Sequence, residues 1–215
     1  MHRRKFVKYG LAGGVSSLIA SVSGLAHGTL LNPTPPEIEG PFYPVMGLKD
    51  KDFDLTRIEG KTEVAKGRII IVEGRILDTS GNAIEDATVD LWQANAAGRY
   101  LHPYDPNEAP LDPNFQGWAI IPSGKEGSFR FKTVFPGAYP ASASWLRPPH
   151  IHFKINKSGY EELVTQMYFP DHELNKKDRL LNGKAPEEQK RMIAKKINGD
   201  LEFEQYYFDI VLAKS

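Results

Sequence analysis

From residue 67 onward the chain is a succession of short runs rich in Val, Ile, Phe and Trp, each closed by a turn signal. That pattern restricts the fold more than any other feature. Arg68 to Leu77 reads as a strand of β-branched residues, and Asp78-Thr79-Ser80-Gly81-Asn82 ends it in a turn. Ala87 to Trp92, Trp118 to Ile121, Ser128 to Val134, His150 to Ile155, Glu162 to Tyr168 and Phe203 to Ala213 have the same character. Only Ala185 to Asn198 reads as a helix. Pro186 opens it, Glu187 and Glu188 occupy its first turn, Lys195 and Lys196 come late, and Gly199 follows. Strands separated by turns, without a helix between successive strands, argue against a doubly wound α/β fold. They predict a mainly β chain, a single-domain β-sandwich with long loops and one helix in its C-terminal region. A length of 215 residues is enough for one sizeable core.

Before that pattern begins, two further segments are expected. Residues 1–26 start with Arg3-Arg4-Lys5-Phe6-Val7-Lys8 and continue as a mildly apolar stretch of Gly, Ser and Ala to Ala26. This resembles the twin-arginine export signal of bacteria, which implies a periplasmic destination and no stable membrane span once the signal is cleaved. Residues 27–66 are irregular, with prolines at 33, 35, 36, 41 and 44 that bar helix and central strand. Residues 67–215 carry the sandwich. The first 26 residues hold four bases and no acid, so the remainder has 23 bases against 27 acids and a net charge of −4. A mildly acidic chain has no electrostatic footprint for nucleic acid. Cysteine is absent, which excludes disulfides and any Cys-based zinc or iron–sulfur site.

The chemistry concentrates in Arg147-Pro148-Pro149-His150-Ile151-His152-Phe153. On a strand, His150 and His152 share one face, and Ile151 and Phe153 take the other. Two imidazoles side by side are either ligands of one metal or solvated surface groups. Tyr100 and Tyr139 sit in loops, each with a glycine two residues earlier, Gly98 and Gly137. A phenolate is a hard anionic oxygen ligand that suits Fe(III). The residue types alone leave two readings open: two His and two Tyr on one ferric ion, or tyrosines that merely pack. His102 and His172 lie in polar loops and read as surface groups. Asp105, Asp112 and Asp171 read as turn caps.

Four separated stretches add to this: Asp90-Leu91-Trp92-Gln93-Ala94-Asn95-Ala96-Ala97-Gly98-Arg99-Tyr100, Leu111-Asp112-Pro113-Asn114-Phe115, Pro136-Gly137-Ala138-Tyr139-Pro140, and Trp145 to Phe153. Together with Thr165-Gln166-Met167-Tyr168-Phe169 they resemble the intradiol ring-cleavage dioxygenases, in particular the iron-binding chain of the protocatechuate-cleaving branch. The resemblance implies the prealbumin-like sandwich of that family with active-site loops, and a catalytic domain at 67–215. It implies a non-haem Fe(III) held by Tyr100, Tyr139, His150 and His152. Tyr139 would be the ligand that departs and takes a substrate proton, Arg147 would lie beside the bound ring, and Gln166 would hydrogen-bond near the site. Trp92 and Tyr43 would stand beside the substrate. The partners implied are a catechol and O2, and the product is a cis,cis-muconate-type diacid. Ala141-Ser142-Ala143 departs from the tryptophan that often follows Tyr-Pro in the protocatechuate branch, which changes that wall of the pocket. The chain supplies no second, metal-free subunit, so a homo-oligomer is the expected assembly. The competing function is an exported sandwich that binds or carries iron or catecholate without turnover.

Overall fold

The computed structural model describes residues 30–45, 50–199 and 202–215. The export signal expected over 1–26 lies outside the described residues. In chain order the elements are β1 (Ile69–Asp78), β2 (Thr88–Trp92), β3 (Trp118–Pro122), β4 (Ser128–Val134), β5 (Tyr139–Ser142), β6 (Trp145–Arg147), β7 (His150–Asn156), β8 (Leu163–Tyr168), α1 (Pro186–Met192), β9 (Lys195–Ile197), β10 (Glu204–Tyr207) and β11 (Ile210–Leu212). They form the mainly β sandwich expected. In one sheet β1 pairs antiparallel with β4 and parallel with β10 and β11, and β9 joins β10. The other sheet is antiparallel, in the order β3-β2-β7-β8. The short hairpin β5-β6 stands apart from both.

The core lies between the sheets, and strand alternation decides what enters it. Ile151, Phe153 and Ile155 of β7 join Val89 and Leu91 of β2 and meet Val72, Phe129 and Phe131 from the opposite sheet. The Phe129 and Phe153 ring centres are 5.7 Å apart. Each such side chain, fully buried, contributes about 1.5–3 kcal/mol. His150, His152 and Lys154 must then occupy the outer face of the second sheet. Residues before 67 close that face and are part of the same unit. Glu37 N donates to Val164 O at 2.8 Å, and Pro35 O accepts from Thr165 Oγ1 at 2.8 Å, so the segment runs along the β8 edge. Leu55 is fully buried in the common core.

Three expectations need correction. The helix expected over 185–198 ends at Met192. Ala194 N donates instead to Tyr168 O at 2.9 Å, and Lys195–Ile197 pairs with β10, so sheet pairing overrides local helical preference. The strand expected over 203–213 is two strands broken at Phe208–Asp209. The break lies beside Gly74 of β1, where an added Cβ would sit 2.0 Å from the Phe208 carbonyl oxygen. Phe208 N and Arg75 N keep the crossing bonded, to Glu73 O and Asp209 Oδ1. Finally, residues 139–147 form the hairpin β5-β6, where a loop is expected around Tyr139.

Candidate metal centre

The antiparallel register assembles one half of the site. Trp118, Trp92, His152 and Gln166 are successive partners across β3, β2, β7 and β8, and His150 is opposite Tyr168. All point to the outer face by parity with the core residues. Trp92 stacks on His152 with ring centres 4.7 Å apart and planes 11° from parallel. His150 presents Nδ1 to the Pro148 carbonyl at 2.7 Å. A carbonyl can only accept, so that contact puts the proton on Nδ1 and leaves the Nε2 lone pair free. The rigid Pro148-Pro149 entry thus sets the tautomer of the first histidine.

The tyrosines arrive on two loops that are locked together. Gly137 N donates to Asn95 O at 2.9 Å. Gly98 has φ +83°, and a Cβ there would lie 2.2 Å from the Ala138 carbonyl oxygen. A Cβ on Gly137 would lie 2.3 Å from Gly98 N. The glycine found two residues before each tyrosine therefore has one cause: the two backbones touch there. Asp105, buried, accepts from Tyr100 N at 2.7 Å and fixes the start of the following loop. Tyr139 is placed by β5-β6, where it pairs directly with Arg147.

These elements bring the four candidate donors to one point. His150 Nε2 and His152 Nε2 are 3.2 Å apart, and the Tyr100 hydroxyl is 3.1 Å from His152 Nε2. The Tyr139 ring stands edge-on to Tyr100 at 5.3 Å and lies 5.6 Å from His150. All four residues are buried. Burial, and then the Arg147 charge, holds both imidazoles below the usual histidine range, His152 at about 3, so both are neutral. Burial pushes the Tyr100 phenol well up, with Tyr139 adding to it, and pushes the Tyr139 phenol up against the opposing pull of Arg147. Neutral imidazole nitrogens beside phenols that burial pushes up are a donor set that a strongly charged cation would stabilise. A ferric ion fits it. Among the described residues no group of three or more His, Cys, Asp or Glu comes together as a metal cluster, so the tyrosines are needed to complete four donors.

Beside the phenols, Arg147 is held rigidly. Its Nε donates to Asp178 Oδ2 at 2.8 Å, and its Nη2 donates to Gln166 Oε1 and the Tyr168 hydroxyl, both at 2.8 Å. Burial opposes its charge, but Tyr168, Tyr139 and Asp178 outweigh burial and hold the guanidinium protonated. Gln166 in turn donates to Ile38 O at 3.0 Å, tying the arginine to the segment that covers the sheet.

Comparison with known proteins agrees with this geometry. The sequence profile of the family described as Dioxygenase matches residues 38–214. The chain is 41% identical over 182 residues to the protocatechuate 3,4-dioxygenase beta chain of Burkholderia cepacia, covering 80% of this chain and 77% of that one. The chain belongs to the intradiol dioxygenase family. It is also 33% identical over 152 residues to the chlorocatechol 1,2-dioxygenase of Cupriavidus pinatubonensis, covering 62% of this chain and 54% of that protein, little more than half its length. Among solved structures, the 3-chlorocatechol 1,2-dioxygenase of Rhodococcus opacus superposes with a TM-score of 0.66 at 25% identity, over 86% of this chain and 74% of that one. The dioxygenase domain of a carbohydrate-binding fusion from a cellulolytic Streptomyces does so with a TM-score of 0.63 at 26% identity, over 86% and 100% of the two chains.

In this family member a cavity of about 110 Å³ opens beside the donors. Tyr139, Arg147 and His152 line its floor, and Glu39, Phe42, Ala141, Trp145 and Leu180 are among its walls. A larger open cleft of about 470 Å³ runs past Leu31, Arg191 and Phe208 but borders none of the four donors. Tyr43 and Trp92, expected beside the substrate, are not among the residues that line the small cavity. Tyr43 stands edge-on behind Trp92 at 4.9 Å and donates its hydroxyl to Asp90 Oδ2 at 2.7 Å. Trp92 is fully buried and meets His152 with its ring face. Trp92 thus packs on His152, and Tyr43 packs on Trp92.

Sequence reasoning passed over Asp178 and the role of Tyr168. Two-residue alternation on β8 would have put Tyr168 on the face of Gln166. Asp178 lies in an irregular stretch 31 residues after Arg147 and carries no local signal. Among the described residues no helix is long and apolar enough to cross a membrane.

Proposed function

We propose that the protein is a non-haem Fe(III) intradiol dioxygenase that cleaves a catechol between its two hydroxyl-bearing carbons with O2. The observation that carries this is the meeting of Tyr100, Tyr139, His150 and His152 in a buried cluster, with a clamped Arg147 at its side. Ferric iron, when bound, supplies the Lewis acid that favours the doubly deprotonated catechol and activates it toward oxygen. The protein's own groups do the rest. The two neutral histidines, Tyr100 and Tyr139 would hold the metal. Tyr139, on the hairpin beside the cavity, accepts a substrate hydroxyl proton. Arg147 presents a fixed positive charge where negative charge builds on the ring, and its partners spare it reorganisation during the reaction. Both oxygen atoms of O2 enter the product, and a catechol becomes a cis,cis-muconate-type diacid with no other reactant. The same proposal includes assembly as a homo-oligomer. It also places the protein in the periplasm, on the strength of Arg3-Arg4 and the apolar stretch after them.

The test is the visible spectrum of the iron-loaded protein. Phenolate bound to Fe(III) is expected to give a broad charge-transfer band and a red-brown colour, and the band is expected to shift on adding catechol without oxygen. Tyr100→Phe and His152→Ala are each expected to lose iron and oxygen uptake together. Full iron occupancy with normal turnover in both variants would refute the ligand assignment. A band that shifts with catechol but no oxygen uptake would identify a binding or carrier protein.

A further inference from the structure

The small cavity is graded in depth. Tyr139, Arg147 and His152 form its buried floor, and Phe42, Trp145 and Leu180, all half-buried, form an apolar collar nearer the solvent. A catechol that reaches the donors through its two oxygens places its ring in this collar. The volume, about 110 Å³, is below the roughly 300–1,000 Å³ of pockets for larger ligands and suits a single ring. A ring substituent then meets the collar, and the residue that shapes the collar decides which rings fit.

Trp145 has the largest side chain of the three, and the hairpin is built to put it there. It stands two residues before Arg147 on β6, so both project from one face of the strand. Tyr139 pairs with Arg147 and Pro140 with Leu146, but the next pair is Ser142 with Trp145. Ala141 is therefore the extra residue of a β-bulge, which bends a strand and re-aims its side chains. Ala141 and Trp145 both line the cavity, and the short side chain at the bulge leaves that stretch of wall to the indole.

The indole is held by contacts of its ring and not by its polar atom. Among the described residues, Trp145 Nε1 is buried without an acceptor. The guanidiniums of Arg147 and Arg179 each lie over the ring, 5.3 Å from its centre, within cation–π range. Arg179 also donates to Ser144 Oγ at 3.3 Å, on the residue before the tryptophan. Its neighbours in sequence belong to the same wall. Asp178 pairs with Arg147 at 2.8 Å, and Leu180 is part of the collar. Three consecutive residues thus brace β6 and the cavity together.

From the bulge at Ala141, the two guanidiniums on the indole and the narrow collar, we infer that Trp145 is the specificity-determining wall of the site, admitting catechols with a small substituent and refusing bulky ones, and that Arg179 positions it. This rests on the dioxygenase reading above and deepens it by naming the substrate class.

The test uses the iron-loaded full chain with catechol, 4-methylcatechol and 4-tert-butylcatechol, which differ in bulk and not in charge. Anaerobic binding is read from the shift of the charge-transfer band, and kcat/KM from oxygen uptake. The unaltered protein is expected to favour the two smaller catechols over 4-tert-butylcatechol by about tenfold or more in kcat/KM. Trp145→Ala is expected to lower that preference about fivefold, while iron content and the band of the substrate-free protein stay as they were. Arg179→Gln is expected to lower it about twofold, and Arg179→Lys, which keeps a cation over the ring, to retain it. No preference in the unaltered protein, or an unchanged one in Trp145→Ala, overturns the inference and leaves the dioxygenase reading standing. An unchanged preference in Arg179→Gln removes the positioning role. If Trp145→Ala does not fold, Ala141→Trp carries the test. A second large ring at the bulge is expected to lower kcat/KM for 4-methylcatechol relative to catechol about threefold, and an unchanged ratio overturns the inference. No band shift with any of the three catechols overturns both readings.

Discussion

Two buried aspartates flank the histidine strand, and among the described residues only one of them makes an ion pair. Asp178 pairs with Arg147 and also accepts from the Tyr168 hydroxyl at 3.2 Å and from Leu181 N at 2.9 Å. Asp90, on β2, accepts only from neutral groups in close contact, the Tyr43 hydroxyl at 2.7 Å and Trp118 Nε1 at 2.8 Å. Burial raises the Asp90 carboxyl above the usual carboxylate range, with those two bonds pulling the other way. The first aspartate aims a charge at the cavity. The second anchors the aromatic layer behind His152, through Tyr43 and Trp118 on either side of Trp92. A buried carboxylate is thus a charge partner in one place and a double acceptor in the other, and substitution separates the two uses.

The largest effect is expected at Asp178. Asp178→Ala leaves the Arg147 guanidinium buried without its counter-ion, which costs about 3–5 kcal/mol. A urea melt is expected to show that loss, with kcat falling as the guanidinium loses its aim. Asp178→Asn keeps shape and removes charge, and should still lose activity. Wild-type stability and kcat in Asp178→Asn would erase the distinction between the two sites. Next comes Asp90→Ala, which leaves the buried Trp118 Nε1 unpaired at about 1–3 kcal/mol and the part-buried Tyr43 hydroxyl unpaired at less. Iron is expected to remain bound, so the melt shifts while the charge-transfer band persists. The smallest effect is expected for Tyr43→Phe, which removes one hydrogen bond worth about 0.5–1.5 kcal/mol. Its KM for catechol should stay unchanged, and a large rise in KM would put Tyr43 in the substrate cavity after all.

The same contrast explains what the sequence could disclose. Parity along His150-Ile151-His152-Phe153 was legible, because a period of two is fixed by the strand itself. The tyrosine pair was legible only as a coincidence of glycines, and its meaning, two backbones in contact, is a tertiary fact. The β5-β6 hairpin was hidden by its brevity and by Pro140 within it. Lys195–Ile197 read as helix because its propensity is local and its pairing with β10 is not. Asp178 and Asp90 look alike as letters. What separates them is the arginine that one meets across 31 residues of chain.

The parallel pairing of β1 with β10 and β11 has a consequence in time. The first strand of the sandwich takes its neighbours from residues 204–207 and 210–212, near the far end of the chain. The four donors, at positions 100 to 152, are all made before those neighbours exist. Contacts of such long range form late and slowly. Until they form, the core that holds β7 rigid is missing one side. On the dioxygenase reading, metal capture would therefore await the finished chain, because a nascent or C-terminally truncated chain would expose histidines and tyrosines without holding them in one geometry.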